Sequence, residues 1–554
     1  MRLLGVLKGR AETETADEHV LGDEARGGAW SPLRLGLFRA LWLAALVSNI
    51  GTWMQNVAAV WYMTSLTSSP LLVALVQAAT SLPVFLVGLP AGAVADIFDR
   101  RRLLLWTQGW MLAVAGVLAV LTFGGVMTEW RLLALTFALG LGMAVNAPSW
   151  QAITPDVVPR PDLPRAIALN SVTVNIGRAV GPALGGVLVA ASGPALVFAL
   201  NALSFLGVLA VVYRWRRPPT SSVLPAERVF GAIRAGLRYA RHAPPLAAVL
   251  VRTGLFMICA SAFWALLPAI ARGELGGSAV GYGVLLGCVG LGATAGAALL
   301  PRFQGRLSPD SLTGLATVVF AVVCVLTALW RWLPGLWVVM AIGGLAWIAV
   351  MASLNTAAQT TAPPWVRARA LGMYLVVFQG GLGLGSALWG WLAARMGTPT
   401  ALVLSGAALV VGLAAIPRWR LAAATRLDLT PSAHWPEPHV AAMPAADAGP
   451  VHVQVEYRID PEQSGAFSAA VHELGAVRRR DGAIAWSLYR DPAEAGRYVE
   501  VFVVESWVEH RRQHERVTKT DRAIEDRVRG FHRGDSPPAV THLIASPTSS
   551  HHAC

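Results

Sequence analysis

Arg178 stands inside a long apolar stretch, Asn170 to Gly186, NSVTVNIGRAVGPALGG. A guanidinium there is expensive in lipid, so it must face protein or a polar cavity. Its planar fork suits carboxylates and other electron-rich oxygen groups. Contact with an anionic ligand is one reading; a structural hydrogen bond to carbonyls, Asn175 or nearby amides is the other. Asn49, Gln55, Asn170, Asn355 and Gln359 also interrupt apolar segments and are candidates to line the same polar path. No Asp or Glu lies well inside such a segment. Near the end of the chain His510 and His514 stand one helical turn apart, but no third ligand or interposed glutamate accompanies them. No metal or cofactor is therefore expected, and no acid–base pair or nucleophile stands out. The phosphate-binding pattern Gly-x-x-x-x-Gly-Lys-Ser/Thr is missing, so ATP-driven chemistry has no support.

The elements that position these residues are dictated by composition. Of 554 residues, 55% are hydrophobic and only 14% are charged, against about 25% charged in soluble domains. Most of the chain must sit in a bilayer. Twelve apolar segments reach the roughly 20 residues that a span needs: 37–64, 70–95, 103–126, 131–153, 164–191, 195–213, 246–271, 279–301, 311–331, 335–360, 367–393 and 399–417. The polar stretch 214–245 divides them six and six. The net charge of +13 does not point to nucleic acid, because the arginines cluster in alternate loops. Those loops carry Arg100 to Arg102, Arg160 and Arg165, Arg214 to Arg241, Arg302 and Arg306, and Arg367 and Arg369. The bias places them, and both termini, in the cytoplasm.

The domain expectations follow. Residues 1–35 read as a cytoplasmic arm without a core, 36–213 as one six-helix half and 246–420 as the other. In the 214–245 loop, Phe230, Ile233 and Leu237 share one helical face while Arg234, Arg238 and Arg241 share another. That pattern predicts an amphipathic helix on the inner leaflet. Residues 421–449 read as a linker and 547–554 as a tail. Between them, 450–546 alternates as strands at 451–459, 483–490, 497–506 and 539–545, with a helical stripe of Phe467, Ala470, Val471, Leu474 and Val477 and a polar helix over 507–531. The order βαββαβ is a ferredoxin-like unit. Its third strand offers Tyr498 and Phe502 on one face and Val499, Val501 and Val503 on the other. Both faces are too apolar for water, so a homodimer through this domain is expected.

Two motifs add specificity. Gly177, Gly181 and Gly185 recur every four residues, with Pro182 and Gly186 beside them, forming a flat stripe for close helix approach. The loop after the second span reads Gly92-Ala-Val-Ala-Asp96-Ile-Phe-Asp-Arg100-Arg101-Arg102. The first resembles the fifth-helix antiporter motif of exporters in the major facilitator superfamily. The second resembles that superfamily's gate signature, in which a helix-end Asp and following basic residues latch the cytoplasmic side; Ile97 departs from the usual basic residue. With Ser48 to Asn56 in the first span, residues 34–420 look like the branch of siderophore exporters and macrolide efflux proteins. The 450–546 domain resembles the antibiotic-biosynthesis monooxygenases.

The halves echo each other, as a duplicated transporter predicts: Arg165-Ala-Ile-Ala-Leu169 opens the fifth span and Arg367-Ala-Arg-Ala-Leu371 the eleventh. The resemblance implies a twelve-helix bundle in the bacterial inner membrane that exports a small organic molecule by alternating access, coupled to an ion. Gly92, Asp96, Arg100 and Arg101 would form the gate. The alternative is a membrane-tethered monooxygenase whose last domain modifies the exported compound.

Overall fold

The computed structural model describes residues 30–546 apart from 216–228, 305, 422–427, 433, 437–439, 441, 446 and 535. The expected N-terminal arm, up to residue 29, and the tail 547–554 lie outside the described residues, as do the side chains of Asp96, Phe230 and Ile233. The first half contains α1 (Gly36–Leu66), α2 (Pro70–Ile97), α3 (Arg100–Phe123), α4 (Glu129–Val157), α5 (Leu163–Ser192) and α6 (Pro194–Arg214). A short α7 (Val229–His242) leads to α8 (Pro244–Ala269), α9 (Ala279–Gln304), α10 (Pro309–Leu329), α11 (Leu333–Thr360), α12 (Arg367–Met396) and α13 (Thr398–Gly412). All but α7 are long and apolar enough, with their flanking turns, to cross a membrane: twelve spans. Prolines open α2, α6, α8 and α10, where a missing amide donor costs nothing. Asp99, Thr128 and Ser308 cap α3, α4 and α10 by accepting from the amides of Arg102, Arg131 and Ser311.

The two halves meet along α2 with α12 and along α5 with α9. Glycine makes both seams. A Cβ on Gly383 would lie 2.9 Å from Leu82, and one on Gly186 would lie 2.6 Å from the carbonyl oxygen of Ala279. At the end opposite the arginine-rich turns the halves are also bolted together. Trp61 stacks on Tyr282 at 5.9 Å, and Arg272 donates to Thr64 Oγ1 at 3.0 Å. At the arginine-rich end, α4 and α11 share no extended packing among the described residues. The halves are thus bolted together at one end, while at the other, the unpacked end, α4 and α11 are not packed on each other.

Beyond the bundle comes an antiparallel sheet of β1 (Val451–Arg458), β2 (Ala483–Arg490), β3 (Arg497–Val504) and β4 (Ala539–Ile544), in the order β2-β3-β1-β4. Helices α14 (Ser464–Asp481), α15 (Trp507–Arg516) and α16 (Lys519–Arg529) complete the domain, and α14 and α16 pack together. Val451, Val453, Val455 and Tyr457 alternate inward along β1 and pack with Phe467, Val471 and Leu474 of α14. The single helix expected over 507–531 is two: Thr518 and Asp521 form a reciprocal capping box that starts α16 afresh.

Two expectations change. The linker is not free up to residue 449. Pro431 bridges Thr518, the Ser432 amide donates to the Val517 carbonyl, and Trp435 Nε1 donates to Glu525 at 2.8 Å. These contacts extend the domain upstream into the expected linker, to about Asp428, whose backbone also bonds Thr520. Second, α7 does not lie free on a leaflet. Tyr239 is buried among Leu246, Ala362, Val366 and Ala370, its hydroxyl donating to the Thr361 carbonyl at 2.9 Å, while α14 packs against the helix.

Candidate functional site

The glycine stripe lays α5 directly on α1. A Cβ on Gly177 would come within 3.0 Å of Asn49, on Gly181 within 2.5 Å of the Trp53 Cβ, and on Gly185 within 2.9 Å of the Met54 Cα. Arg178, one residue along from the stripe, is thereby brought to Trp53, its guanidinium carbon 5.6 Å from the ring centre. From the other half, a Cβ on Gly290 of α9 would lie 3.4 Å from the Arg178 carbonyl, and one on Gly283 would lie 2.8 Å from the Pro182 carbonyl. The Nε of Arg178 is buried without a partner, and no ion pair holds the side chain among the described residues. Arg178 is thus a cation placed on an aromatic face, at the seam between the halves, with donors to spare. Trp53 was legible in the sequence only as an apolar residue; its role depends on the α1–α5 contact.

The amide candidates separate. Gln55 is buried and accepts from Asn201 Nδ2 at 2.5 Å, so it ties α1 to α6 and does not line a path. Asn170 donates to Thr154 Oγ1 at 2.9 Å and ties α5 to α4. Asn49 Nδ2 donates to the Ala45 carbonyl of its own helix and reaches Thr173 Oγ1 at 3.5 Å. Asn355 accepts from Gln359 Nε2 at 2.6 Å, and Gln359 is exposed at the unpacked end. Arg252, near the start of α8, is a second cation within the spans. It is paired with Asp310 and donates to Thr313 Oγ1 at 2.6 Å.

At the α2–α3 turn, Asp96 occupies the last turn of α2. A Cβ on Gly92 would meet nothing within 4 Å. Arg100 pairs with Asp156 at the end of α4, 3.3 Å away, and Arg101 donates to the Val212 and Tyr213 carbonyls. Those carbonyls end α6, where the helix dipole favours a cation. The two arginines bind three helix ends of one half together. Asp156 went unnoticed in the sequence because its partner lies 56 positions away.

The last domain holds a buried charge network. Glu500, at 0% exposure, accepts from Tyr457, Trp486 and Arg478. Arg478 also pairs with Glu525, which accepts from Trp435. Burial alone would raise the Glu525 carboxyl, but the Arg478 charge and the Trp435 hydrogen bond outweigh it and lower the pKa. Glu500 follows Tyr498 and precedes Phe502 on the inward face of β3, so strand alternation alone could have flagged it. His510 and His514 face each other, Nε2 to Nε2, at 3.3 Å, with His542 of β4 packed on His510. Burial, reinforced by the neighbouring imidazoles, pushes His510 down to about 3 and His514 down to about 4. They are neutral core histidines.

Two six-helix halves, joined along two glycine-lined seams and bolted together at one end, define a secondary transporter of the major facilitator fold. Solved structures agree at the level of fold. A bacterial homolog of the human lysosomal transporter Spinster, in an inward-facing and unoccupied conformation, aligns with TM-score 0.54 at 16% identity, over 72% of this chain and 98% of that one. The POT family transporter PepTSo aligns with TM-score 0.56 at 12% identity, over 71% and 99%. The chain belongs to the transmembrane secretion effector family, whose profile matches residues 27–550. It is similar to the enterobactin exporter EntS of Citrobacter koseri, 29% identical over 383 residues, which cover 68% of this chain and 89% of that protein. EntS of Escherichia coli O1:K1 is 28% identical over 401 residues, 69% of this chain and 93% of the relative. The protein is a multi-pass inner-membrane exporter of a small molecule.

Proposed function

We propose that the cargo is an anionic or electron-rich aromatic compound of siderophore type, bound by Arg178 and Trp53 at the seam between the halves. The observation that carries this is the unpaired, half-buried guanidinium of Arg178 against the Trp53 ring. A cation without a carboxylate partner is a poor site for a cationic drug and a good one for a carboxylate or catecholate. The names of the exporters that the chain resembles point the same way. The arginine-rich, unpacked end faces the cytoplasm and admits the cargo; closing that end and parting Trp61 from Tyr282 would release it outside, driven by an ion gradient. Asp96, Arg100 and Arg101 serve the gate at the cytoplasmic end.

The test compares spent-medium metabolites of a deletion strain with its parent, then with strains carrying Arg178→Lys or Trp53→Ala. Expected is an aromatic acid or catecholate missing from the deletion medium and reduced about tenfold by either substitution, the loss typical of one charge-assisted contact. Export of a lipophilic cation instead, unaffected by Arg178→Lys, overturns the assignment.

A further inference from the structure

The last domain does not hang from the bundle; it is docked on it. Arg234 of α7 pairs with Glu505 at 3.0 Å, and Arg238 pairs with Glu509, which also pairs with Arg516. The guanidinium of Arg480 lies 5.8 Å from the Tyr239 ring centre. That of Arg516 lies 4.5 Å from the ring of Trp365, in the turn joining α11 to α12. The place of attachment matters more than its strength. Helix α7 packs on both α2 and α12, the two helices that form one seam between the halves. Gly236 sits against Arg369 of α12, and Leu89 of α2 joins the apolar cluster around Tyr239. The domain therefore grips the seam and one of the turns that must move when the unpacked end closes.

The grip is also incomplete. Arg238 Nε and Trp365 Nε1 are both buried at this interface without a partner. Unpaired buried donors weaken a contact that is otherwise rich in charge pairs. Such an interface is suited to forming and breaking within a cycle.

We propose that the C-terminal domain is a latch: docked on α7 and the α11–α12 turn, it favours the conformation unpacked at the basic end, and it loosens for that end to close. The proposal rests on the alternating-access reading above, but its test needs no cargo. Ser171 on α5 and Thr356 on α11 are exposed near the unpacked end. Spin labels on S171C and T356C, in the full chain carrying Cys259→Ser, Cys288→Ser and Cys554→Ser and reconstituted in nanodiscs, report the opening by electron–electron resonance distances. R234E with R238E sets like charges against Glu505 and Glu509. Expected is a shift of about tenfold in the ratio of long to short distances toward short, which corresponds to about 1.4 kcal/mol of differential stability. Because Glu509 also pairs with Arg516 and Arg512 inside the domain, the charge swap is made at the other pair: R234E alone should shift the ratio the same way, and R234E with E505R should return the parent distribution. An unchanged distribution in the R234E/R238E protein, or a shift that the charge swap fails to reverse, overturns the latch. Normal export alongside an unchanged distribution would refute the latch while leaving the transport reading intact.

Discussion

Arg178, half-buried within the spans, and Glu500, fully buried in the last domain, are charges in opposite environments. Glu500 accepts three hydrogen bonds and specifies a packed interior. Arg178 keeps a buried, unpaired Nε and has only a ring beside it. Replacing Glu500 by Ala should strip Arg478 of a partner and destabilise the last domain by about 3–5 kcal/mol, as breaking buried pairs does. Thermal melting with limited proteolysis of the full chain reads this; a melt within a degree of wild type would show the network to be dispensable. The histidines give a pH prediction with a definite sign. The fold holds His510 near 3 and His514 near 4, whereas unfolded histidine titrates near 6.5. Between those values the unfolded state binds more protons, so stability of the domain falls as pH drops below about 6.5. His510→Gln should flatten the melting-versus-pH curve in that window, and an unchanged slope would contradict the assignment.

At the scale of elements, glycine spacing decides how helices approach. Gly181 and Gly185 lie against Trp53 and Met54 of α1, with no room for a branched side chain. Gly181→Leu or Gly185→Leu should abolish export while the protein still reaches the membrane; wild-type export from both would mean that α1 and α5 part at no cost. The α2–α3 turn works through charges at helix ends. Arg100 and Arg101 draw the ends of α3, α4 and α6 together, and Asp96 sits one turn earlier at the close of α2. Asp96→Asn is expected to impair export with expression intact, because a charge pair that differs between two conformations sets their balance. Unaltered export by that variant would reduce Asp96 to a surface charge.

For the whole molecule, the arginine bias predicts that both chain ends lie in the cytoplasm. Reporter fusions after Arg217 and after Arg420 should both read cytoplasmic, and an external signal at either position would overturn this topology. The outward face of the small sheet carries Val499, Val501 and Val503, only half-buried, with Tyr489 and Leu543 exposed. A second copy laid on it would bury several hundred Å² of apolar surface, enough at roughly 25 cal/mol per Å² to hold a dimer. Mass photometry of the full chain in nanodiscs should show two copies per particle at micromolar loading, and Val501→Glu should return it to one. A monomer in both cases would leave that face to solvent.

Length, apolar spacing and arginine placement were enough to read twelve spans in two halves, because a bilayer forces each helix to satisfy its own backbone. Strand alternation likewise announced the βαββαβ domain, since a period of two admits one buried face. Pairings between distant residues were not legible. Nothing local distinguishes Gln55, spent on Asn201, from Arg178, left with a ring and a free donor. Nor could the amphipathic pattern of α7 say whether its basic face meets lipid or Glu505 and Glu509. Periodicity reports which face of an element is apolar or charged. Which partner covers that face is settled only when the chain folds, because the partner lies hundreds of residues away in sequence and its contribution depends on geometry that no single segment carries.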